Sequence, residues 1–129
     1  MATIQFDLVS PERKLASVEA LEIQIPGADG DFTAMAEHAP MLTTLRPGLL
    51  SVTTNNNVME YIVTGGFVEI SGTNASVLAE QALPKAEVTR EVIDNLIAVA
   101  TAALENIPPE DVDAANKRLS DTRILLELI

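Results

Sequence analysis

The sequence predicts an α+β protein: an N-terminal antiparallel β-sandwich of about ten short strands, then a C-terminal antiparallel two-helix hairpin. Two changes of pattern carry this expectation. Up to about Leu83 the apolar residues recur with period two, which is the spacing of strands. After Pro84 they recur at three and four residues, which is the spacing of a helix face. A third observation is the density of backbone punctuation in the first half. Ile25 to Gly48 holds Gly27, Gly30, Gly48, Pro26, Pro40, Pro47 and the only histidine, His38. Apolar residues such as Phe32, Met35, Met41, Leu42 and Leu45 are interleaved with those breakers, so the stretch reads as shaped turns and not as a linker. The expected domains are residues 1–84 and 85–129.

The strands follow in order. Ile4, Phe6 and Leu8 point one way, with Gln5 and Asp7 opposite. Leu21, Ile23 and Ile25 alternate with Glu22 and Gln24. Leu50 and Val52 continue the pattern, then Met59, Tyr61 and Val63 against Glu60 and Ile62, then 67–70 and 75–79. Turn signals separate them at Ser10-Pro11, Pro26-Gly27, Pro47-Gly48, Asn55-Asn56-Asn57, Gly65-Gly66 and Ser71-Gly72. In the helical part, Val92, Ile93, Leu96, Ile97, Ala100, Ala103, Leu104 and Ile107 share a face. Glu87 and Glu91 suit its first turn, and Pro108-Pro109 is the expected stop. A second helix carries Val112, Ala115, Leu119, Thr122, Leu126 and Ile129 at seam spacing. Ile124, Leu125 and Leu128 make its last turn apolar nearly all round, so that end is expected to be covered.

Composition narrows the function. The 129 residues include 8 basic and 19 acidic groups, a net charge of −11, which repels phosphate backbones and anionic lipid. Four aromatic residues are too few for a base-stacking platform, so nucleic acid is not an expected partner. With no cysteine, thiolate catalysis and cysteine-liganded zinc are excluded, and one histidine excludes a multi-histidine site. Met1 leads straight into a strand pattern, so no signal peptide is expected. The longest apolar stretch, residues 96–104, falls well short of the ~20 residues of a membrane span. A soluble chain that works at a membrane only through protein partners is the expectation.

Four motifs then occur in order. They are Val9-Ser10-Pro11-Glu12, Pro26-Gly27-x-x-Gly30, His38-Ala39-Pro40-x-Leu42-Thr43 with Leu45-x-Pro47-Gly48, and Gly65-Gly66-Phe67-Val68-Glu69. Together they resemble the epsilon subunit of bacterial F-type ATP synthase, over the whole chain, with nearly all the specificity in the sandwich. The resemblance implies a non-catalytic rotor subunit of the central stalk that couples proton translocation to ATP synthesis. It implies a peripheral position on the cytoplasmic face of the bacterial inner membrane. Its partners would be the gamma subunit and the c-subunit ring, with the alpha/beta catalytic head reached through the hairpin. In some members the hairpin extends along gamma and inhibits ATP hydrolysis. Carried onto this sequence, Asp29, Gly30, Asp31 and Phe32 face the c ring, and Ser10, His38, Met41, Leu42 and Thr43 face gamma. Lys117, Arg118 and Arg123, on a stretch (114–129) of net charge +1, are the candidates for an inhibitory contact.

Departures from the family pattern fall at Thr33, where many members have Gly, and at Ala36-Glu37, where they have Pro-Gly or Pro-Asn before the histidine. They predict an altered loop backbone. Some members bind ATP through an [IL]-D-x-x-R-A motif on the first helix. The two registers here, Val88-Thr89-x-x-Val92-Ile93 and Ile93-Asp94-x-x-Ile97-Ala98, lack the arginine that would meet the triphosphate. A nucleotide-sensing module is therefore the second reading.

A small enzyme using His38 is the third, although no companion nucleophile motif accompanies it. The simpler reading of His38 is a turn or interface residue. Asp29-Gly30-Asp31 lacks the further oxygen ligands of a calcium loop and reads as a turn. Gly65-Gly66 has no following Lys-Ser/Thr and reads as a bulge. Phe32 reads equally as an exposed anchor or a core aromatic. Lys117 with Asp121 and Arg123 with Glu127 are spaced as helix ion pairs, which favours a solvated face over an inhibitory one. No cofactor or metal is expected.

Overall fold

A computed structural model describes residues 2–128. Ten strands are followed by two helices. The strands are β1 (Ile4–Val9), β2 (Lys14–Ala20), β3 (Glu22–Gly27), β4 (Gly30–Met35), β5 (Met41–Leu45), β6 (Gly48–Thr53), β7 (Val58–Val63), β8 (Gly66–Ile70), β9 (Asn74–Ala79) and β10 (Ala82–Pro84). The helices are α1 (Arg90–Ala102) and α2 (Val112–Ile124), with single 3-10 turns at Lys85–Glu87, Pro109–Asp111 and Leu125–Leu128.

The strands run in the order β10-β7-β6-β3-β5-β8-β9-β1-β2, with β4 on the flank of β3. The corner between the two layers is β3. Its first half pairs with β6 (Ile23 opposite Val52), and its last residue, Gly27, pairs with Leu45 of β5. Pairing is antiparallel except for β1, which lies parallel to β9 with Phe6 opposite Ala75. Inward residues of both layers (Ile4, Phe6, Leu8, Ile23, Ile25, Leu50, Val52, Val63, Val68, Ile70 and Val77) form one buried core. Period two is the reason: successive side chains leave a strand on opposite faces, and one face of each layer meets the other.

Ile62 departs from that rule. The alternation turns it outward with Glu60, yet it is 3% exposed. In register with it across the sheet lie Leu49 of β6 and Leu83 of β10, so the outer face here carries an apolar row. The helical hairpin sits on this row. Val88, Ile93 and Leu125 are buried against Ile62, with Leu49, Leu83, Val92, Leu96, Ile97, Leu126 and Leu128 packed around them. The fold therefore has a second, smaller core outside the sandwich, and the hairpin is folded down.

Several boundaries differ from the sequence expectation. Glu87 belongs to the 3-10 turn ahead of α1, whose N-cap is Thr89, with Oγ1 accepting from the Val92 N–H at 3.3 Å. The first helix ends at Ala102, five residues before Ile107. The Leu104 and Glu105 N–H groups donate to carbonyls three residues back, and Asn106 sits at φ 57°, a left-handed conformation that Asn tolerates. The chain has already turned before Pro108 can stop it. In the last turn Leu125 is the fully buried residue, and Leu126 is only partly covered. The 3-10 winding of residues 125–128 rotates side chains off the 3.6-residue seam. Ile129, placed on that seam by its spacing, lies outside the described residues.

Candidate functional site

Three surfaces hold the residues singled out above. The first is the tip of the β3–β4 hairpin. Gly27 opposes Gly30 in the register, and an added Cβ on Gly27 would lie 2.7 Å from the Gly30 carbonyl oxygen, so only glycine fits. Asp29 and Asp31 are exposed at this tip. The turn is held from outside by Arg46, which no spacing rule singles out. Its Nη1 donates to the Gly27 carbonyl at 3.2 Å, and its Nη2 meets the Asp31 carboxylate. The Arg46 N–H donates to the Pro26 carbonyl at 3.0 Å, so one residue fastens the tip through three contacts. Phe32 is partly buried and packs on the sandwich core, between a fully buried aromatic and an exposed anchor. The His38 ring lies beside it, tilted by 42° with ring centroids 6.3 Å apart.

The His38 imidazole Nδ1 lies 2.7 Å from the Ala39 carbonyl oxygen; because a carbonyl can only accept, Nδ1 carries the proton. A backbone carbonyl and an aromatic ring offer this histidine neither a nucleophile nor an orienting carboxylate. Before it, Glu37 adopts φ 66°. This left-handed conformation suits Gly or Asn best, and here a glutamate adopts it. The glutamate holds this conformation at a steric cost of roughly 1–2 kcal/mol. Glu37→Gly is expected to relieve that cost, less the extra chain entropy of glycine, for a net gain of about 0.5–1 kcal/mol. A rise in the urea midpoint checks this; an unchanged or lowered midpoint contradicts it.

The second surface is the outer face of β5, β8, β9 and β1. The register sets Thr44 opposite Phe67, Phe67 opposite Leu78, and Leu78 beside Val9. Four neighbouring strands thus carry one outward row. Phe67 is 55% exposed and Leu78 57%, and Leu42, one row away, is 69% exposed. The row floors an open groove of about 650 Å³ that also touches Ser10, Gly65 and Gly66. Asp7 and Glu69 lie in the adjacent outward row, since Leu42 opposes Glu69 and Asp7 pairs with Ser76. Of the residues carried over for one partner, Leu42 stands on this face. Met41 lies on the inward side, packed against the core, and Thr43 alternates with Leu42 in the same way. Ser10 is buried, its hydroxyl donating to the Arg13 carbonyl at 3.3 Å. Sequence reasoning passed over Phe67 and Leu78 as contacts, because alternation alone does not say which face of a two-layer sheet lies open.

The third surface is the hairpin. Lys117 pairs with Asp121 at 2.9 Å on the same helix. Arg118 reaches 38 residues back along the chain to Glu80, Nη2 to Oε2 2.6 Å, and so ties α2 to the β9–β10 turn. Among the described residues Arg123 has no ion-pair partner, and the spacing that suggested Glu127 does not form one. Val92, at the arginine position of the nucleotide motif's first register, packs into the apolar second core. Asp94, in the other register, turns outward and pairs with Arg90 at 3.9 Å.

These surfaces define a class: a contact protein whose β-sandwich presents a stiffened turn and an apolar row, with a helical clasp on its flank. A family model described as ATP synthase, Delta/Epsilon chain, beta-sandwich domain matches residues 3–85. The ATP synthase epsilon chain of Jannaschia sp. (strain CCS1) is 51% identical over 129 residues, covering 100% of this chain and 98% of that one. The corresponding chain of Fuscovulum blasticum is 54% identical over 124 residues, covering 96% and 94%. The chain belongs to the ATP synthase epsilon chain family. Its fold is shared by a chain in the Euglena gracilis mitochondrial ATP synthase (OSCP/F1/c-ring), with a TM-score of 0.75 at 20% identity over 99% of this chain and 82% of that one. A chain in the central stalk/c-ring of the Tetrahymena thermophila mitochondrial ATP synthase gives 0.71 at 18% identity, over 97% and 95%.

Proposed function

We propose that this chain is a non-catalytic rotor element of the central stalk of a bacterial F-type ATP synthase. It sits peripherally on the cytoplasmic face of the inner membrane and couples proton translocation to ATP synthesis. The observation that carries this reading, beyond family membership, is the exposed row Thr44–Phe67–Leu78–Val9, with Leu42 beside it. Phe67, Leu78 and Val9, aligned across three strands with exposed Leu42 on the fourth, mark a protein contact. Residues 1–84 carry three basic and ten acidic groups, so the complementary partner surface is apolar with basic flanks. Gamma is assigned to this face, meeting Leu42 directly and Ser10 and His38 at its margin, while Met41 and Thr43, on the inward side, hold the strand beneath it. The c ring is assigned to Asp29, Gly30, Asp31 and Phe32, where torque transfer benefits from a turn that Arg46 makes stiff. No helix among the described residues is long and apolar enough to cross a membrane, and attachment through these two partners serves instead.

An inhibitory contact by the hairpin through Lys117, Arg118 and Arg123 requires it to leave its seat. That exposes Ile62, Ile93 and Leu125 and breaks the Arg118–Glu80 pair, so the folded-down state is the resting one. Co-purification of gamma with the full chain tests the assignment. Phe67→Asp is expected to weaken gamma binding by at least about 100-fold, because a carboxylate would be desolvated without a partner. Val99→Asp, on the hairpin's exposed side, is expected to leave it unchanged. Failure of gamma to bind, or equal binding by both variants, would sink the assignment.

A further inference from the structure

The Arg118–Glu80 pair stands between two depressions. On one side is the apolar groove floored by Phe67 and Leu78; on the other is the cleft under the hairpin, lined by Thr64, Leu96, Ala100 and Thr122. Both Arg118 and Glu80 line both. Gly65 makes the room: a Cβ there would lie 3.1 Å from Glu80 Oε2 and 3.4 Å from Arg118 Nη1. Both side chains are about half exposed, and a pair so placed contributes little by itself.

We propose that this ion pair is shared by two interfaces, so that docking of the stalk partner in the groove clamps the hairpin onto the sandwich. The proposal rests on the reading that gamma occupies the groove. A partner seated on Phe67 and Leu78 covers the wall as well as the floor. Removing water lowers the local dielectric and strengthens the attraction between Glu80 and Arg118. Lifting the hairpin would then strand a desolvated carboxylate, which costs far more than breaking the exposed pair. The basic flanks of the partner meet Asp7 and Glu69, whereas Glu80 is already neutralised from within by Arg118. Because coupling between two sites is reciprocal, a seated hairpin also strengthens partner binding by the same factor.

The test uses the full chain, free and bound to purified gamma, with hydrogen exchange followed across 90–124 and gamma affinity measured in parallel. Binding is expected to raise hairpin protection about five- to tenfold in the native chain and in the charge-swapped double variant Glu80→Arg/Arg118→Glu. In Arg118→Gln and Glu80→Gln that rise is expected to vanish, and gamma affinity to fall by the same factor. Equal rises in all four chains would overturn the proposal, as would a loss of protection on binding. If gamma binds, Phe67→Asp abolishes binding and Arg118→Gln alters nothing, the coupling alone fails. If gamma does not bind, or ignores Phe67→Asp, the docking reading fails and the coupling with it.

Discussion

Replacing Gly66 with alanine will cost the sandwich about 3–5 kcal/mol, a large share of a small domain's stability. Gly66 has φ +128°, where side chains other than hydrogen are strained. A Cβ there would stand 2.0 Å from the Leu78 carbonyl oxygen and 2.9 Å from the Ala79 Cα. Both are backbone atoms of β9, so no rotamer change relieves the clash; β8 and β9 must separate. Gly66 also pairs with Leu45 on its other side, so the disturbance reaches β5. Strain of about 1–3 kcal/mol at the residue and lost ladder bonds add to the total. Gly72→Ala is the control, because nothing lies within 4 Å of its added Cβ. Urea unfolding is expected to show a large fall in midpoint for Gly66→Ala and a small change for Gly72→Ala. Near-equal midpoints would contradict the account.

Substituting Ile93 with aspartate is expected to detach the hairpin and leave the sandwich standing. Ile93 is fully buried in the second core, facing Ile62, Val88 and Leu125. A carboxylate among these apolar side chains is buried unpaired, and the penalty, about 3–5 kcal/mol, exceeds what the exposed Arg118–Glu80 pair returns. Helices of 13 residues are marginal without tertiary packing, so α1 and α2 should fray once released. The main core shares no buried residue with the second one, which is why the loss stays local. Hydrogen exchange over 90–124 should quicken at least about 100-fold while β1, β8 and β9 keep their protection. Retained protection in the helices would refute the separation of the two cores; collapse of the whole chain would do the same.

Much of the fold was legible because strands β1, β3 and β7 alternate strongly, and α1 carries a clean apolar stripe. Strands β2, β4 and β5 were harder to read. The inward set of β2 is Ala16, Val18 and Ala20, small residues that give a weak signal, and β4 buries only Ala34 and part of Phe32. Ile62 misled for a different reason: alternation assumes an outer face in water, and here a second layer covers it. The site residues divide likewise. Turn glycines and the outward Leu42 follow from local pattern. The contacts that fix the surfaces, Arg46 with Asp31 and Arg118 with Glu80, span 15 and 38 residues of chain, and no spacing rule reaches that far.

The parallel seating of β1 beside β9 has a consequence for the chain as it leaves the ribosome. The first strand is an interior one, flanked by β2 and β9, yet residues 74–79 of its second neighbour are made some seventy positions later. Until they emerge, β1 and β2 form an isolated hairpin with an open, apolar flank, a template for pairing with other chains. Closure is thus a late, long-range event, and the slow step of folding is expected to be the insertion of β8–β9 against β1. Any nascent fragment ending before Ala79 carries that open flank; one that ends after Pro84 can close the sandwich before the helices have been translated.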